Sequence, residues 1–206
     1  MTRVPVEERR EQLIAAAIDV ICDEGVAGAS LRAIAARAGT SLASVHYAFA
    51  SRLALLQATI EHLIDASARS VADLEAPPEV PPRALIEAHL RAYLADVQAH
   101  RNRELGLLEL TLTAVRDPSL SPLPAELYGQ FYAAATGIAE AFAKQLGTPW
   151  TVPVRRVART IVMITDGLVL SWLATDDAEV AEDLIAAGTD TLAALLGAGD
   201  GDGRPA

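Results

Sequence analysis

Apolar positions recur at helical spacing along almost the whole chain, and β-branched alternation is nearly absent. Leu13, Ala17, Val20 and Ile21 share one face of a first helix. Pro5 suits its opening turn, where no hydrogen-bond donor is needed, and Glu7 and Glu8 favour the positive end of the dipole. Gly25 is expected to end it as a left-handed cap. Ser30 is a good N-cap for a second, short helix that carries Leu31, Ile34 and Ala35 and stops at Gly39. A third runs from about Ser41 to Tyr47. Ser51 caps a fourth, which continues through Leu55, Leu56, Ile60, Leu63 and Ile64 towards Leu74. Pro77, Pro78, Pro81 and Pro82 then interrupt the pattern. Five more helices are predicted near residues 83–100, 102–116, 124–146, 153–175 and 178–196, with a loop marked by Asp117-Pro118, Pro122 and Pro124. Residues 197–206 begin Gly-Ala-Gly-Asp-Gly-Asp-Gly, a flexible tail by composition. The pattern predicts an all-α protein of about nine helices without tandem repeats.

Composition adds exclusions. Hydrophobic residues are 51% of the 206 and charged residues 21%, which provides for a core and excludes disorder throughout. The single cysteine, Cys22, excludes an intramolecular disulfide and a cysteine-cluster zinc site, and reads as a small core residue. No metal or cofactor is expected. The N-terminus carries Glu7, Glu8 and Glu11 and no long apolar run, so it does not read as a signal peptide, and no stretch approaches the ~20 apolar residues of a membrane span. The expectation is a soluble, cytoplasmic protein without a membrane partner.

The net charge of −10 argues at first against nucleic acid, whose phosphates need a basic surface. Its distribution changes that conclusion. Up to residue 52, six arginines balance six acidic residues, so the remaining chain holds 17 − 6 = 11 basic and 27 − 6 = 21 acidic residues, a balance of −10. All the net acidity lies after the third predicted helix.

Residues 30–52 carry the strongest local signal. A short helix, a tight turn at Gly39 and a second short helix form a helix-turn-helix layout. Leu31, Ile34, Ala35, Val45 and Phe49 supply an apolar seam, and Ala35 and Ala38 are small enough for close approach. Thr40, Ser41, Ser44, His46 and Tyr47 are left facing outward, as short donors and a phenol suited to phosphate oxygens and base edges. On layout alone, an ordinary αα-hairpin in a helical core accounts for it equally well.

The residues themselves are more specific. Ala38-Gly39-Thr40-Ser41-Leu42-Ala43-Ser44-Val45-His46-Tyr47-Ala48-Phe49-Ala50-Ser51-Arg52 resembles the tetracycline-repressor-like (TetR) family, whose usual pattern is A-G-V-S-x-G-T-[LIV]-Y-x-[HY]-F-x-[SN]-[KR]. Ala38, Gly39, Ser41, Val45, Phe49, Ser51 and Arg52 match, whereas Thr40, Ala43, Ser44 and His46 depart. Leu13–Gly25 resembles the family's first helix. The resemblance implies an N-terminal three-helix DNA-binding domain over 1–52 and a helical effector-binding and dimerisation domain over 53–196, with a helix at 51–75 connecting them. It implies that Ser30 sets its helix N-terminus against a phosphate and that Arg32, Tyr47 and Arg52 reach the DNA backbone. Thr40, Ser41, Ser44 and His46 would face the major groove, with Ala43 offering a methyl contact. Arg37 reads as a solubilising surface residue.

For the later half the resemblance implies a small-molecule site. Seven of the nine aromatic residues follow Pro82. The candidate effector residues are Tyr93, Glu109, Thr113, Tyr128, Phe131, Tyr132, Asp166 and Trp172, suited to a hydrophobic or aromatic ligand; for any single aromatic, a plain core role is the better reading. Glu109 and Asp166 stand among apolar neighbours and need a partner, either an internal arginine or a ligand. Arg101 and Arg103 are placed to pair with the DNA-binding half. In the last two helices Ile161, Ile164, Leu168 and Ser171 form one stripe, and Ala181, Ile185, Gly188, Leu192 and Leu195 another. The resemblance implies a homodimer through these helices, while packing within one subunit is the plain alternative. The expected function is that of a ligand-responsive regulator, a repressor released from a pseudo-palindromic double-stranded DNA operator by its effector.

Two other classes compete. A helical-bundle metal enzyme would show Glu-x-x-His, yet none of His46, His62, His89 and His100 has a glutamate three residues before it. No nucleophile elbow or phosphate-cradling glycine loop is present. A helical adaptor without DNA binding leaves the motif at 38–52 unexplained.

Overall fold

The computed structural model describes residues 5–72 and 80–197, with backbone alone over 65–72. The expected tail from residue 198, the end of the fourth helix beyond 72, and Pro77 and Pro78 lie outside the described residues. Among the described residues nine α-helices follow one another without a strand: α1 (Val6–Gly28), α2 (Leu31–Arg37), α3 (Leu42–Ala48), α4 (Arg52–Ala72), α5 (Pro82–Ala99), α6 (Arg101–Arg116), α7 (Leu123–Leu146), α8 (Val154–Thr175) and α9 (Ala178–Ala193). The expected loop after α6 holds a single 3-10 turn, Pro118–Leu120, capped by Asp117, whose side chain accepts from the Ser119 N–H at 2.9 Å.

The chain forms two compact units. The first takes Met1–Ala66 and His100–Tyr128, the second Ser67–Ala99 and Gly129–Ala206. Their boundaries fall inside α4, between α5 and α6, and inside α7.

In the first unit α1 buries Leu13, Ala17, Val20 and Ile21, the face its periodicity indicates. Leu13, Val20 and Ile21, taken from water, each stabilise the fold by about 1.5–3 kcal/mol. Gly25 has the positive φ expected of it (74°), but its ψ of 176° is extended rather than left-handed helical. The residue therefore kinks α1 instead of capping it, and one further turn runs to Gly28. Besides α2 and α3, α1 packs against α6. The approach is tight because Gly106 has no side chain: a Cβ there would lie 2.6 Å from Ile21 Cγ2. At the start of α6, Glu104 is 7% exposed and accepts from Arg103 Nε at 2.8 Å, a short pair in which each charge compensates the other's desolvation.

In the second unit Leu85, Ile86, Leu90 and Leu94 of α5, Phe142 of α7, Val157 and Leu168 of α8, and Ile185 and Leu192 of α9 form one core. Gly188 lets α9 approach both neighbours, since a Cβ would meet Ile164 Cγ2 at 2.7 Å and Leu90 Cδ1 at 3.2 Å. Asp177 caps α9 by accepting from Glu179 N–H at 2.8 Å. Arg83 pairs with Asp190, and Arg91 with Glu87 and Glu182, so the solvent edge of the α5–α9 contact is lined by ion pairs. Glu182 is held below the usual carboxylate range by its bonds to Arg91. The residues after α9 fold back: Thr151 N–H donates to Leu195 O at 2.8 Å and Gly197 N–H to Pro149 O at 2.9 Å.

Two sequence expectations change here. Leu168, Ala181, Ile185 and Leu192 are core residues of their own unit, so the stripes on the last two helices pack within one subunit. The exposed apolar line on α8 is the neighbouring one, Met163, Gly167, Leu170 and Ala174, with Met163 63% and Leu170 59% exposed. Secondly, α8 has the length and composition of a membrane-crossing segment. It buries Ala158, Val162, Val169 and Leu173 and packs against α5 and α9, as a core helix does.

Candidate nucleic-acid interface

The segment after α1 is built by local hydrogen bonds. Ser30 stands in extended backbone and its hydroxyl accepts from Ala33 N–H at 3.1 Å, which starts α2. Gly39 adopts φ 61°, and no atom would lie within 4 Å of an added Cβ, so the turn requires glycine for its dihedral rather than for space. Ser41 starts α3 by accepting from Ser44 N–H at 3.2 Å, and the two hydroxyls lie 3.0 Å apart. Ser51 accepts from Ala54 N–H at 3.1 Å and starts α4.

Packing then divides α3 into two faces. Val45 and Ala48 are buried with Ile34, Ala35 and Phe49, the expected seam. Ser41, Leu42, Ala43, His46 and Tyr47 are exposed, while Thr40 and Ser44 are half-buried. Tyr47 is 63% exposed, an unusual setting for a large ring. Ser30 and Arg32 are exposed on the same segment.

Three arginines tie these helices together. Arg37 Nη1 donates to Asp23 at 2.8 Å and Nη2 to Glu24 at 3.2 Å, which fastens the end of α2 to α1 and raises the guanidinium further above its ordinary value. Arg37 is thus a bridge between helices as well as a surface residue. Arg52, expected to meet phosphate, is half-buried: Nε donates to Ala29 O at 3.1 Å and Nη2 to Val26 O at 3.2 Å, satisfying carbonyls at the end of α1. Asp117 lies within reach of its charge; the carboxyl is held below the usual range chiefly by Ser119, with Arg52 adding to the effect. Arg10, not singled out from sequence, donates from Nη1 to Ala48 O at 2.7 Å and lies 4.2 Å from the Phe49 ring centre. Helical register could have revealed it, since Arg10 precedes the buried Leu13 and Ala17 by three and seven residues on one face.

The candidate effector residues divide between the units. Glu109, Thr113 and Tyr128 belong to the first, and Tyr93, Phe131, Tyr132, Asp166 and Trp172 to the second. All are half-buried except Glu109, which is exposed. The apolar neighbours of Glu109 in sequence lie on other faces of α6, and its carboxylate rests against Gly25. Tyr93 and Trp172 pack on the core of the second unit, and the Arg159 guanidinium lies 6.0 Å from the Tyr132 ring centre. Arg103 pairs with Glu104, and its charge also reaches Cys22 on α1. The Cys22 thiol is nonetheless pushed up, first by burial and then by Asp19 and Asp23. His62 is exposed, and His89 is structural, with Nδ1 2.8 Å from Leu85 O and its ring edge on Phe142.

Known protein families match the chain in two segments. Residues 13–59 match the family described as "Bacterial regulatory proteins, tetR family", and residues 81–198 match "Tetracyclin repressor-like, C-terminal domain". The chain belongs to the TetR family. It is 32% identical over 173 residues to the HTH-type nicotine-responsive transcriptional repressor HdnoR of Paenarthrobacter nicotinovorans, covering 84% of this chain and 87% of that one. It is 29% identical over 171 residues to the HTH-type transcriptional regulator BetI of Pseudomonas paraeruginosa, covering 82% and 84%. Among solved structures, it resembles the multidrug binding protein EbrR complexed with ethidium, at 30% identity and a TM-score of 0.67, covering 93% of this chain and all of that one. This TetR-family protein is a ligand-responsive, DNA-binding transcriptional regulator.

Proposed function

We propose that this regulator is a cytoplasmic homodimeric repressor that reads a pseudo-palindromic operator with α3 and leaves it when a cationic, aromatic effector binds. The observation that carries the DNA half is the two-faced α3: Val45 and Ala48 are buried, while Ser41, Ala43, His46 and Tyr47 face solvent. In this reading Thr40, Ser41, Ser44 and His46 meet base edges, Ala43 offers a methyl contact, and Ser30, Arg32 and Tyr47 meet phosphates. The inward bonds of Arg52 make it a support for this surface. Residues 1–52 form the DNA-binding part and 53–196 the effector and dimerisation part, joined by α4.

The dimer reading rests on the exposed line Met163, Gly167, Leu170 and Ala174 of α8. Charge supports an antiparallel pairing of α8 with its copy: Arg155, Arg156 and Arg159 are exposed at the start of α8, and Glu179 and Asp183 at the start of α9. A two-fold axis across the helices brings these opposite charges to the same end. A pseudo-palindromic operator repeats its half-sites one turn of DNA, about 34–36 Å, apart, which is the spacing that the two α3 helices must match.

For the effector, HdnoR is named for its response to nicotine, and EbrR has been solved with ethidium, proflavin and malachite green. Tyr93, Phe131, Tyr132, Trp172 and the Asp166 carboxylate supply chemistry for an aromatic cation. Release requires that the effector favour the dimer with wrongly spaced α3 helices; a hundredfold loss of operator affinity needs a coupling of about 2.7 kcal/mol. The test is selection of duplexes from random-sequence DNA by the purified protein, followed by titration of the bound duplex with malachite green, a twisted cation that does not intercalate between base pairs as ethidium and proflavin do. Enrichment of a pseudo-palindrome and its release by micromolar dye are expected. Failure to enrich any sequence would overturn the operator reading, and a retained duplex would overturn the effector class.

A further inference from the structure

We infer that Arg10, on α1, is a positioning residue for operator binding, holding the C-terminal end of α3 in the orientation that reads DNA without itself touching the DNA. α3 has seven residues, far below the ~12–15 at which an isolated helix begins to hold its shape in water. Its direction is therefore set by what fastens its ends. The N-terminal end is fastened locally, by Ser41. The last carbonyls of a helix have no partner within it, and at the C-terminal end Ala48 O accepts from Arg10 Nη1 at 2.7 Å across 38 residues of sequence. The same guanidinium lies 4.2 Å from the ring centre of Phe49, the residue that ends α3 and is itself 2% exposed. One planar cation thus bonds the last turn, stacks on the buried ring that follows it, and complements the negative end of the α3 dipole.

Arg10 sits half-buried on the face of α1 that carries Leu13 and Ala17, and its named contacts point into the unit. Arg32, exposed on α2, is placed instead as a phosphate contact. The two roles separate by salt dependence. Neutralising a phosphate contact reduces the slope of log affinity against log salt by about 0.9, whereas tilting α3 weakens binding at every salt concentration and leaves the slope unchanged. Lysine cannot reproduce the guanidinium, because an ammonium is a point donor and cannot lie flat on Phe49 while bonding Ala48 O.

The inference rests on α3 as the DNA-reading helix, so the experiment carries its own control. Dissociation constants are measured across a salt series for the wild type and for Arg10→Met, Arg10→Lys, Arg32→Ala and Tyr47→Ala, on a duplex selected by the wild-type protein. Helix content and dimer mass are checked for each variant. Arg10→Met is expected to bind at least about tenfold more weakly, as loss of one charge-assisted hydrogen bond implies, with the wild-type salt slope. Arg10→Lys is expected between the two with the same slope, and Arg32→Ala with a shallower one. A slope reduced in the Arg10 variants as in Arg32→Ala, or wild-type affinity in Arg10→Met, overturns the inference. Should Arg10→Met not fold, the affinity and slope of Arg10→Lys decide in the same way. If Tyr47→Ala binds like the wild type, the reading of α3 fails; if Tyr47→Ala weakens while the Arg10 variants do not, only the positioning role fails.

Discussion

Replacing Gly106 with alanine tests how closely α6 is set against α1. The added Cβ would lie 2.6 Å from Ile21 Cγ2, whereas carbon atoms in good contact stand about 3.5–4.0 Å apart, so roughly 1 Å must be recovered. That methyl sits directly on a β-branched carbon with stiff χ1, and Ile21 is 5% exposed, so it has nowhere to turn. Overpacking of this kind costs about 1–3 kcal/mol. Alanine regains about 1 kcal/mol of helix propensity, leaving a net loss of about 0–2 kcal/mol. Gly137→Ala on α7 supplies the control: nothing lies within 4 Å of its added Cβ, so the propensity gain stands alone. The two variants should differ by about 1–3 kcal/mol, or roughly 2–12 °C in melting temperature for a chain of this size. Thermal unfolding followed by far-UV circular dichroism reads this directly. A Gly106→Ala protein that melts at or above Gly137→Ala would refute the close approach of α1 and α6.

Leu170→Glu should convert the dimer to a monomer in sedimentation experiments while leaving helix content intact, since Leu170 is 59% exposed and its replacement costs the fold little; a stable dimer would rule out the outer face of α8. Arg52→Gln should lower stability by about 1–3 kcal/mol, because the Ala29 and Val26 carbonyls lose charged donors. An unchanged melting temperature would return Arg52 to a pure phosphate role. The rate of Cys22 alkylation by iodoacetamide should rise through a pH above that of a free thiol, about 8.5, since burial, Asp19 and Asp23 all disfavour the thiolate. An inflection at or below the free-thiol value would show that the thiol is not in this environment.

Helix order was legible where a helix carries its own start signal. Ser30, Ser41 and Ser51 each cap the helix they precede, and Asp117 and Asp177 cap the turns after them. The inner faces of α1 and α3 were legible for the same local reason, since each has one apolar side. α8 was not, because it is apolar on nearly every face and its periodicity admits two seams; only packing against α5 and α9 puts Leu168 inside and Leu170 outside. Glu109 misled through its neighbours: Leu108 and Leu110 adjoin it in sequence, but a helix turns adjacent residues about 100° apart, and Glu109 stays exposed with its carboxylate against Gly25 of α1. Arg52 and Arg10 escaped because their acceptors are carbonyls 23 to 38 residues away, and carbonyls carry no sequence signature.

The central claim is that the outer face of α3 reads the operator. It is tested most directly by the affinity of His46→Ala and Tyr47→Ala for a duplex selected by the wild-type protein. Both variants should remain helical dimers and bind more weakly, by about 5- to 150-fold for a lost groove contact worth about 1–3 kcal/mol. Wild-type affinity in both variants would contradict the account.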